Sequence, residues 1–212
     1  MTGVGGSGAA TGDRVRRVLD VLAAVVGLVV TAPITAAAAV ATRATLGPGV
    51  LYRQERLGRG GRPFVLLKLR TMRHAPPGRA DPRYDAARIT RLGAALRATS
   101  VDELPSLVNL LRGDIGLVGP RPLPVHYWDR FRGDEYERFL VRPGITGLAQ
   151  VSGRNLLSWE ARLALDVEYV RTRTLRGDLR LLLDTVPAVL SRSGVERADG
   201  ATMTPLPADR PG

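Results

Sequence analysis

Twenty-two consecutive residues, Val21 to Thr42, carry no charge, and Thr31, Thr35 and Thr42 are their only polar members. At about 1.5 Å per residue a straight helix of this length reaches roughly 30 Å, the thickness of a bilayer's hydrocarbon. A cleaved signal sequence fits poorly, because the run is long and no clear small-residue cleavage site leads into a secretory context. Pro33 sits in the middle, where a helix should kink or break. Both flanks are basic: Arg14, Arg16 and Arg17 precede the run, and Arg43, Arg53, Arg56 and Arg59 follow it. Positive charge marks the cytoplasmic side, so both ends prefer that side. A segment that enters the membrane, bends at Ala32-Pro33 and returns satisfies both observations. A spanning helix satisfies the length alone. Thr31 and Thr35 flank the bend and offer hydrogen bonds to its freed backbone groups.

The net charge of +11 is carried almost wholly by arginine, since Lys68 is the only lysine. Nucleic acid, anionic lipid and phosphorylated ligands are the partners such an excess can serve. Cysteine is absent, which excludes disulfides, thiol catalysis and Cys-based zinc sites. His74 and His126 are the only histidines, and both read as surface or packing residues. A metal would then be hard and oxygen-ligated, with Mg²⁺ the default. A nucleic-acid-binding protein with a membrane anchor explains the charge, but no aromatic stacking set, helix-turn-helix or zinc pattern supports it, and no nucleic-acid partner is expected.

The chain divides into an unstructured start over 1–12, the membrane segment over 13–43, a folded domain over 44–192 and an unstructured tail over 193–212. Residues 50–73 read as a hairpin turning at Gly58, Gly60 and Gly61, with Phe64, Leu66, Lys68 and Arg70 on one strand face. Arg88 to Ala98 reads as a basic amphipathic helix, 123–140 as a further helix, and 158–172 and 175–190 as the last two. Asp166 and Glu168 read as surface charges.

The chemistry concentrates in Ser100 to Pro122, SVDELPSLVNLLRGDIGLVGPRP. Ser100-x-x-Glu103 has the spacing of a capping box, and acidic residues in a first turn complement the helix dipole. The same placement, with Arg97 close by, keeps Asp102 and Glu103 ionised. An ionised Asp102 is a competent nucleophile toward phosphorus, and Glu103 can hold a Mg²⁺ that bridges phosphate oxygens. Arg121, fixed between Pro120 and Pro122, aims a rigid guanidinium at an anion. Arg142-Pro143-Gly144 repeats the pattern more weakly, and Lys68 with Arg70 can meet a phosphate.

Together these blocks resemble the bacterial sugar transferase family, the monotopic phosphoglycosyl transferases. The resemblance runs from about Arg14 to Val189, through the Pro-broken apolar segment, GPGVLYRQERLGRGGRPFVLLKLRTM, DPR, ITRLGAALRATSVDELPSLVNLLRGDIGLVGPRP, VRPGITGLAQVSGRN and LALDVEYV. It implies a helix-rich α/β monotopic protein, with a re-entrant helix-break-helix at Pro33 and a small cytoplasmic domain on the bacterial inner membrane. It implies transfer of a sugar 1-phosphate from a UDP-sugar donor to undecaprenyl or another polyprenyl phosphate, releasing UMP and initiating surface polysaccharide or glycoconjugate synthesis. Asp102 would form the covalent phosphosugar intermediate, Asp102 and Glu103 would be associated with Mg²⁺, and Arg121 would bind the donor phosphates. Lys68, Arg70, Arg97 and Arg142 are the further substrate-binding candidates. Membrane lipid is a partner, and homo-oligomerisation is left open. The chain departs from the family in having Ala32 where a serine precedes the proline, and arginine and glycine over 171–180 where tryptophans are common.

Overall fold

The computed structural model describes residues 6–74, 85–153, 156–190, 206–207 and 210. The Asp81-Pro82-Arg83 element, Arg154-Asn155 and most of the 193–212 tail lie outside the described residues. The longest element is α1 (Gly6–Leu46), 41 residues of helix with Pro33 inside and so about 60 Å long. It begins within the stretch expected to lack structure.

The helix-break-helix expected at Ala32-Pro33 does not occur, because α1 continues through it. Proline removes one amide donor and crowds the carbonyl four residues back, but the turns on either side are held from outside. Gly27 lies against the Leu107 side chain, and Ala38 is buried against Leu69 and Leu96. The Thr31 hydroxyl donates to the Gly27 carbonyl at 2.7 Å.

One face of α1 is fastened to the domain along most of its length. Arg17 donates to the carbonyls of Leu110 and Leu111 at 2.8 and 2.6 Å. Asp20 accepts the Leu117 amide at 2.8 Å. Ala24 packs with Leu110 and Ile115, and Thr42 is fully buried. The other face leaves Val18, Leu22, Val26, Val29, Val30 and Val40 exposed.

The expected hairpin forms: β1 (Leu51–Leu57) pairs antiparallel with β2 (Pro63–Leu69), Leu51 opposite Leu69 and Leu57 opposite Pro63. Its turn uses Gly60 and Gly61 at φ 66° and 73°, where a side chain would be strained. Instead of one helix over 88–98 there are two, α2 (Asp85–Arg88) and α3 (Arg91–Ala98). Ile89 bridges to Met72 between them, and the Thr90 hydroxyl caps α3 by accepting the Gly93 amide at 3.0 Å. A 3₁₀ turn over Val101–Ser106 leads into α4 (Leu107–Arg112) and β3 (Gly116–Val118). The single helix expected over 123–140 is two 3₁₀ segments, Val125–Arg130 and Gly133–Phe139. Extended backbone at Phe131 and Arg132 separates them and lets Phe131 enter the core.

β4 (Gly144–Thr146) lies parallel to β3. A Cβ on Gly144 would meet the Gly119 amide nitrogen at 2.1 Å, so the two chains approach this closely only through glycine. The short α5 (Leu148–Val151) follows, then α6 (Trp159–Thr172), capped by the Ser158 hydroxyl, and α7 (Leu175–Leu190). Among the described residues the fold is thus helix-rich with two small two-stranded sheets. Its largest core joins Leu57, Leu123, Tyr127, Phe131, Phe139, Trp159, Leu163 and Leu206. Leu206 belongs to the tail expected to lack structure, yet it is fully buried, and Arg210 pairs with Glu135 at 2.7 Å.

Candidate active site

The Asp102-Glu103 pair sits on the 3₁₀ turn between α3 and α4, packed over β2. Ser100 does not build the capping box its spacing allows. It adopts a left-handed conformation, φ 56° and ψ 16°, and its side chain caps nothing; its carbonyl accepts the Glu103 amide at 3.1 Å. Among the described residues it is the one non-glycine with positive φ, a strained conformation for a residue with a Cβ. The Glu103 carboxylate is thereby free to leave its own helix end. It accepts from Lys68 Nζ at 2.5 Å and lies 3.8 Å from Arg121 Nη2.

That reach depends on how α4 sits against β2, which a side chain in neither motif sets. Asn109, fully buried, accepts the Leu67 amide at 3.0 Å and donates to the Val65 carbonyl at 2.7 Å and to Asp114 at 2.9 Å. It continues the β2 ladder as a neighbouring strand would, and so fixes Glu103 over Lys68. A lone asparagine in the apolar run Leu-Val-Asn-Leu-Leu was its sequence signal. Arg56, read only as a flanking charge, also lines the cleft. It donates to the Pro122 carbonyl at 3.1 Å and so holds the Pro-Arg-Pro turn from below.

Arg121 is positioned from behind as well. Arg138 donates to its carbonyl at 2.7 Å and to Asp166 through two nitrogens at 3.1 and 2.8 Å. Asp166 is therefore a buried partner in an ion pair, not a surface charge, while Glu168 is exposed as expected. The resulting cleft, open to solvent, lies between Lys68, Glu103, Arg56, Arg121 and the β3–β4 pair.

The two carboxylates do not titrate alike. Burial alone would raise Glu103, but Lys68 and Arg121 outweigh it and bring its pKa down to about 2. For Asp102, burial and then the Glu103 charge raise the carboxyl above its usual range, with Lys68 and Arg97 opposing. The two carboxyls are thus driven apart in opposite directions, the pattern of paired carboxylates with different roles.

The other candidates are scattered. Arg97 donates to Thr71 Oγ1 and Met72 Sδ, both at 2.9 Å, and its charge reaches Asp102. Arg70 is turned away from Lys68. It is buried and donates to the carbonyls of Leu46 and Gly47 at 2.5 and 3.0 Å, closing the end of α1. Arg142 lines a different cleft, beside Asp20. His74 meets Arg70, and His126 is exposed. Among the described residues no group of three or more His, Cys, Asp or Glu is gathered for a metal.

One carboxylate, Glu103, is thus held by two fixed cations with the buried Asp102 next to it in the chain, on a domain fastened to an exposed apolar helix. The sequence is 44% identical over 189 residues to the UDP-glucose:undecaprenyl-phosphate glucose-1-phosphate transferase of Caulobacter vibrioides, covering 84% of this chain and 71% of that one. It is 39% identical over 187 residues to the uncharacterised sugar transferase EpsL of Bacillus subtilis, covering 88% and 93%. It is 34% identical over 196 residues to the undecaprenyl-phosphate galactose phosphotransferase of Salmonella typhimurium, covering 84% of this chain and 41% of the longer relative. The family described as Bacterial sugar transferase matches residues 11–192. With nearly the whole folded chain inside that match, from α1 through α7, the protein belongs to the bacterial sugar transferase family.

Proposed function

We propose that the protein is a polyprenyl-phosphate sugar-1-phosphate transferase that takes a UDP-sugar as donor and undecaprenyl phosphate as acceptor in exopolysaccharide synthesis. The observation that carries this reading is the placing of Asp102 beside a Glu103 neutralised by Lys68 and Arg121. Family relatives named for glucose-1-phosphate and galactose phosphotransfer support the same substrates.

In the first step an Asp102 carboxylate oxygen attacks the donor's β-phosphorus. The bond from that phosphorus to the oxygen bridging the two phosphates breaks, and UMP leaves with the bond's electrons. In the second step an oxygen of the acceptor phosphate attacks the same phosphorus. The aspartyl oxygen departs as carboxylate, and the polyprenyl diphosphate sugar is complete. Lys68 and Arg121 counter the negative charge that gathers on the diphosphate, and the Arg138 and Arg56 hydrogen bonds to the backbone of the Pro-Arg-Pro turn hold Arg121 there. Burial that raises Asp102 also strips water from it, which favours attack over solvation. Two adjacent carboxylates supply hard oxygen donors, and Mg²⁺ commonly takes one or two of these and completes its shell with phosphate oxygens and water. Bound at Asp102 and Glu103, the ion would neutralise phosphate charge.

The packing of α1 bears on topology. The domain meets this helix at Arg17, Asp20, Ala24, Gly27 and Ala38, so a spanning path would carry the domain into the hydrocarbon. This favours a monotopic seat on the cytoplasmic face of the bacterial inner membrane, with no break at Pro33 required.

Purified protein incubated with a UDP-sugar labelled at the β-phosphorus, then denatured before acceptor is added, should retain label in wild type and none in Asp102→Asn. Acceptor added before denaturation should chase the label into lipid as UMP accumulates. UMP release with acceptor but no labelled protein without it would replace the covalent route with direct transfer.

A further inference from the structure

A second cleft, open to solvent, lies between the starts of α1 and α7 and the edge of β3. The β3–β4 pair stands between it and the Glu103 cleft: Gly144 and Ile145 wall one, Leu117 and Val118 the other. Its charged lining is Arg16, Arg59, Arg142 and Arg173 against Asp13, Asp20 and Asp178, four positive charges to three negative.

Most of these charges are already engaged. Arg16 Nε pairs with Asp178 at 2.6 Å, and Arg173 with Asp13 at 2.9 Å. The other Asp178 oxygen accepts from the Tyr169 hydroxyl at 2.8 Å. Asp20 accepts from the Leu117 amide. Arg142 is half-buried, and among the described residues its guanidinium has no hydrogen bond or ion pair; its charge reaches Asp20. Its donors are open to the cleft, and a guanidinium presented this way suits an anion. Arg59 stands exposed nearby, a second cation of the lining with no ion pair among the described residues.

The mouth is apolar. Leu19, Leu175 and Leu179 line it and are 49%, 40% and 59% exposed. On α7 they continue into Leu183 and Val186, also exposed, at the spacing of one helix face. On α1 they continue into Leu22 and Val26. A site with one uncompensated positive charge at its base and an apolar rim is complementary to an amphiphile with a singly charged anionic head.

We infer that this cleft holds the phosphodiester headgroup of an anionic membrane phospholipid. Arg142 takes the phosphate, and the acyl chains lie over Leu175 and Leu179. The bound lipid fixes the seat of α1 and α7 on the bilayer. This site is separate from the reacting phosphorus and does not depend on the transfer reaction.

The test uses the full chain in phosphatidylcholine nanodiscs with and without phosphatidylglycerol, extracted into detergent and weighed by native mass spectrometry. Wild type should retain one phosphatidylglycerol in preference to phosphatidylcholine. Arg142→Gln should weaken that retention about fivefold, the effect expected of one basic side chain at a membrane surface. Arg142→Lys should restore most of it, and Arg112→Gln, exposed on α4, should leave it unchanged. Arg59→Gln, at an exposed position where folding is safe, should weaken retention by a smaller factor. Equal retention of the two lipids, or full retention by both Arg142→Gln and Arg59→Gln, overturns the proposal. Displacement by inorganic phosphate would make the ligand a free anion, and one-for-one displacement by polyprenyl phosphate would make it the acceptor. Either result removes the resident phospholipid.

Discussion

Arg138→Met isolates the device that holds Arg121 in place. The Arg138 and Asp166 side chains are each 2% exposed. The guanidinium makes three hydrogen bonds, two to Asp166 and one to the Arg121 carbonyl, and lies over the Phe131 and Phe139 rings at 5.4 and 5.1 Å. Methionine fills much of the same space but strands a carboxylate in the core, which costs about 3–5 kcal/mol of a total stability on the order of 5–15 kcal/mol. Adding Asp166→Leu removes the stranded charge, and such double replacements are often close to neutral, so stability should return. Turnover should not, because the Arg121 carbonyl still lacks its donor. That loss of about 1 kcal/mol corresponds to roughly fivefold in kcat/KM. Urea unfolding followed by Trp159 fluorescence reads the first quantity, and UMP release the second. The single variant's deficit should shrink as pH falls, since a carboxyl without its partner takes up a proton. A cost below about 1 kcal/mol for Arg138→Met would refute the buried-pair reasoning, and full turnover in the double variant would refute the tether to Arg121.

Asp102→Asn should lose turnover by at least about a thousandfold while keeping membrane association. It should also unfold at higher urea than wild type at neutral pH. Folding raises the Asp102 pKa above its ordinary 3.8, so its charge lowers stability above that pH, and the variant's gain should vanish in more acid solution. Glu103→Gln should do the reverse: its stabilisation is present above pH 4.5 and is lost as pH falls toward about 2, so wild type and variant should converge in unfolding scans at acid pH. Ser100→Gly should raise stability by roughly 1 kcal/mol by relieving a left-handed backbone, and Ser100→Val should lower it, both read from urea midpoints. Arg14→Cys and Ala44→Cys, in a chain with no other cysteine, should both react with an impermeant thiol reagent applied from the cytoplasmic side. Labelling from opposite sides would overturn the monotopic seat.

Local pattern was legible in the sequence, and the contacts that arm the site were not. The hairpin, α6 and α7 emerged nearly at their limits, because glycine turns, a serine cap and apolar periodicity are short-range signals. The Ser100 capping box failed because a long-range partner, Lys68, outcompeted the local amide for Glu103. Lys68 and Arg70 alternate onto one strand face, but β2 ends at Leu69, and beyond its ladder Arg70 is free to turn toward the carbonyls at the end of α1. Pro33 should interrupt a free helix, and it does not interrupt one clamped on both sides. Asp166 was the legible miss. With Leu163, Val167 and Val170 it completes an i, i+3, i+4, i+7 stripe, so its place on the buried face of α6 was written in the spacing. Its partner Arg138 lies in a 3₁₀ segment with no such period, and no pattern could supply it.

The packing of α1 ties the membrane seat to the chemistry. Gly27 touches Leu107, the first residue of α4, directly after the turn that bears Asp102 and Glu103. Packed helices lie about 8–10 Å apart, so the turn that leads into α4 stands about one such spacing from the axis of α1, whose other face leaves valine and leucine exposed. The polar layer on one side of a bilayer is only about 5–8 Å deep. With that face of α1 in the hydrocarbon margin, the turn comes to the level of the lipid phosphates, where an acceptor phosphate is confined by its own chain. No flexible linker intervenes, so the height of the site above the membrane is set by side-chain packing at Ala24, Gly27 and Ala38. On the proposed monotopic seat, the small residues on the inner face of α1 therefore set the depth of the carboxylates, and larger ones would lift the turn away from the level of the lipid phosphates.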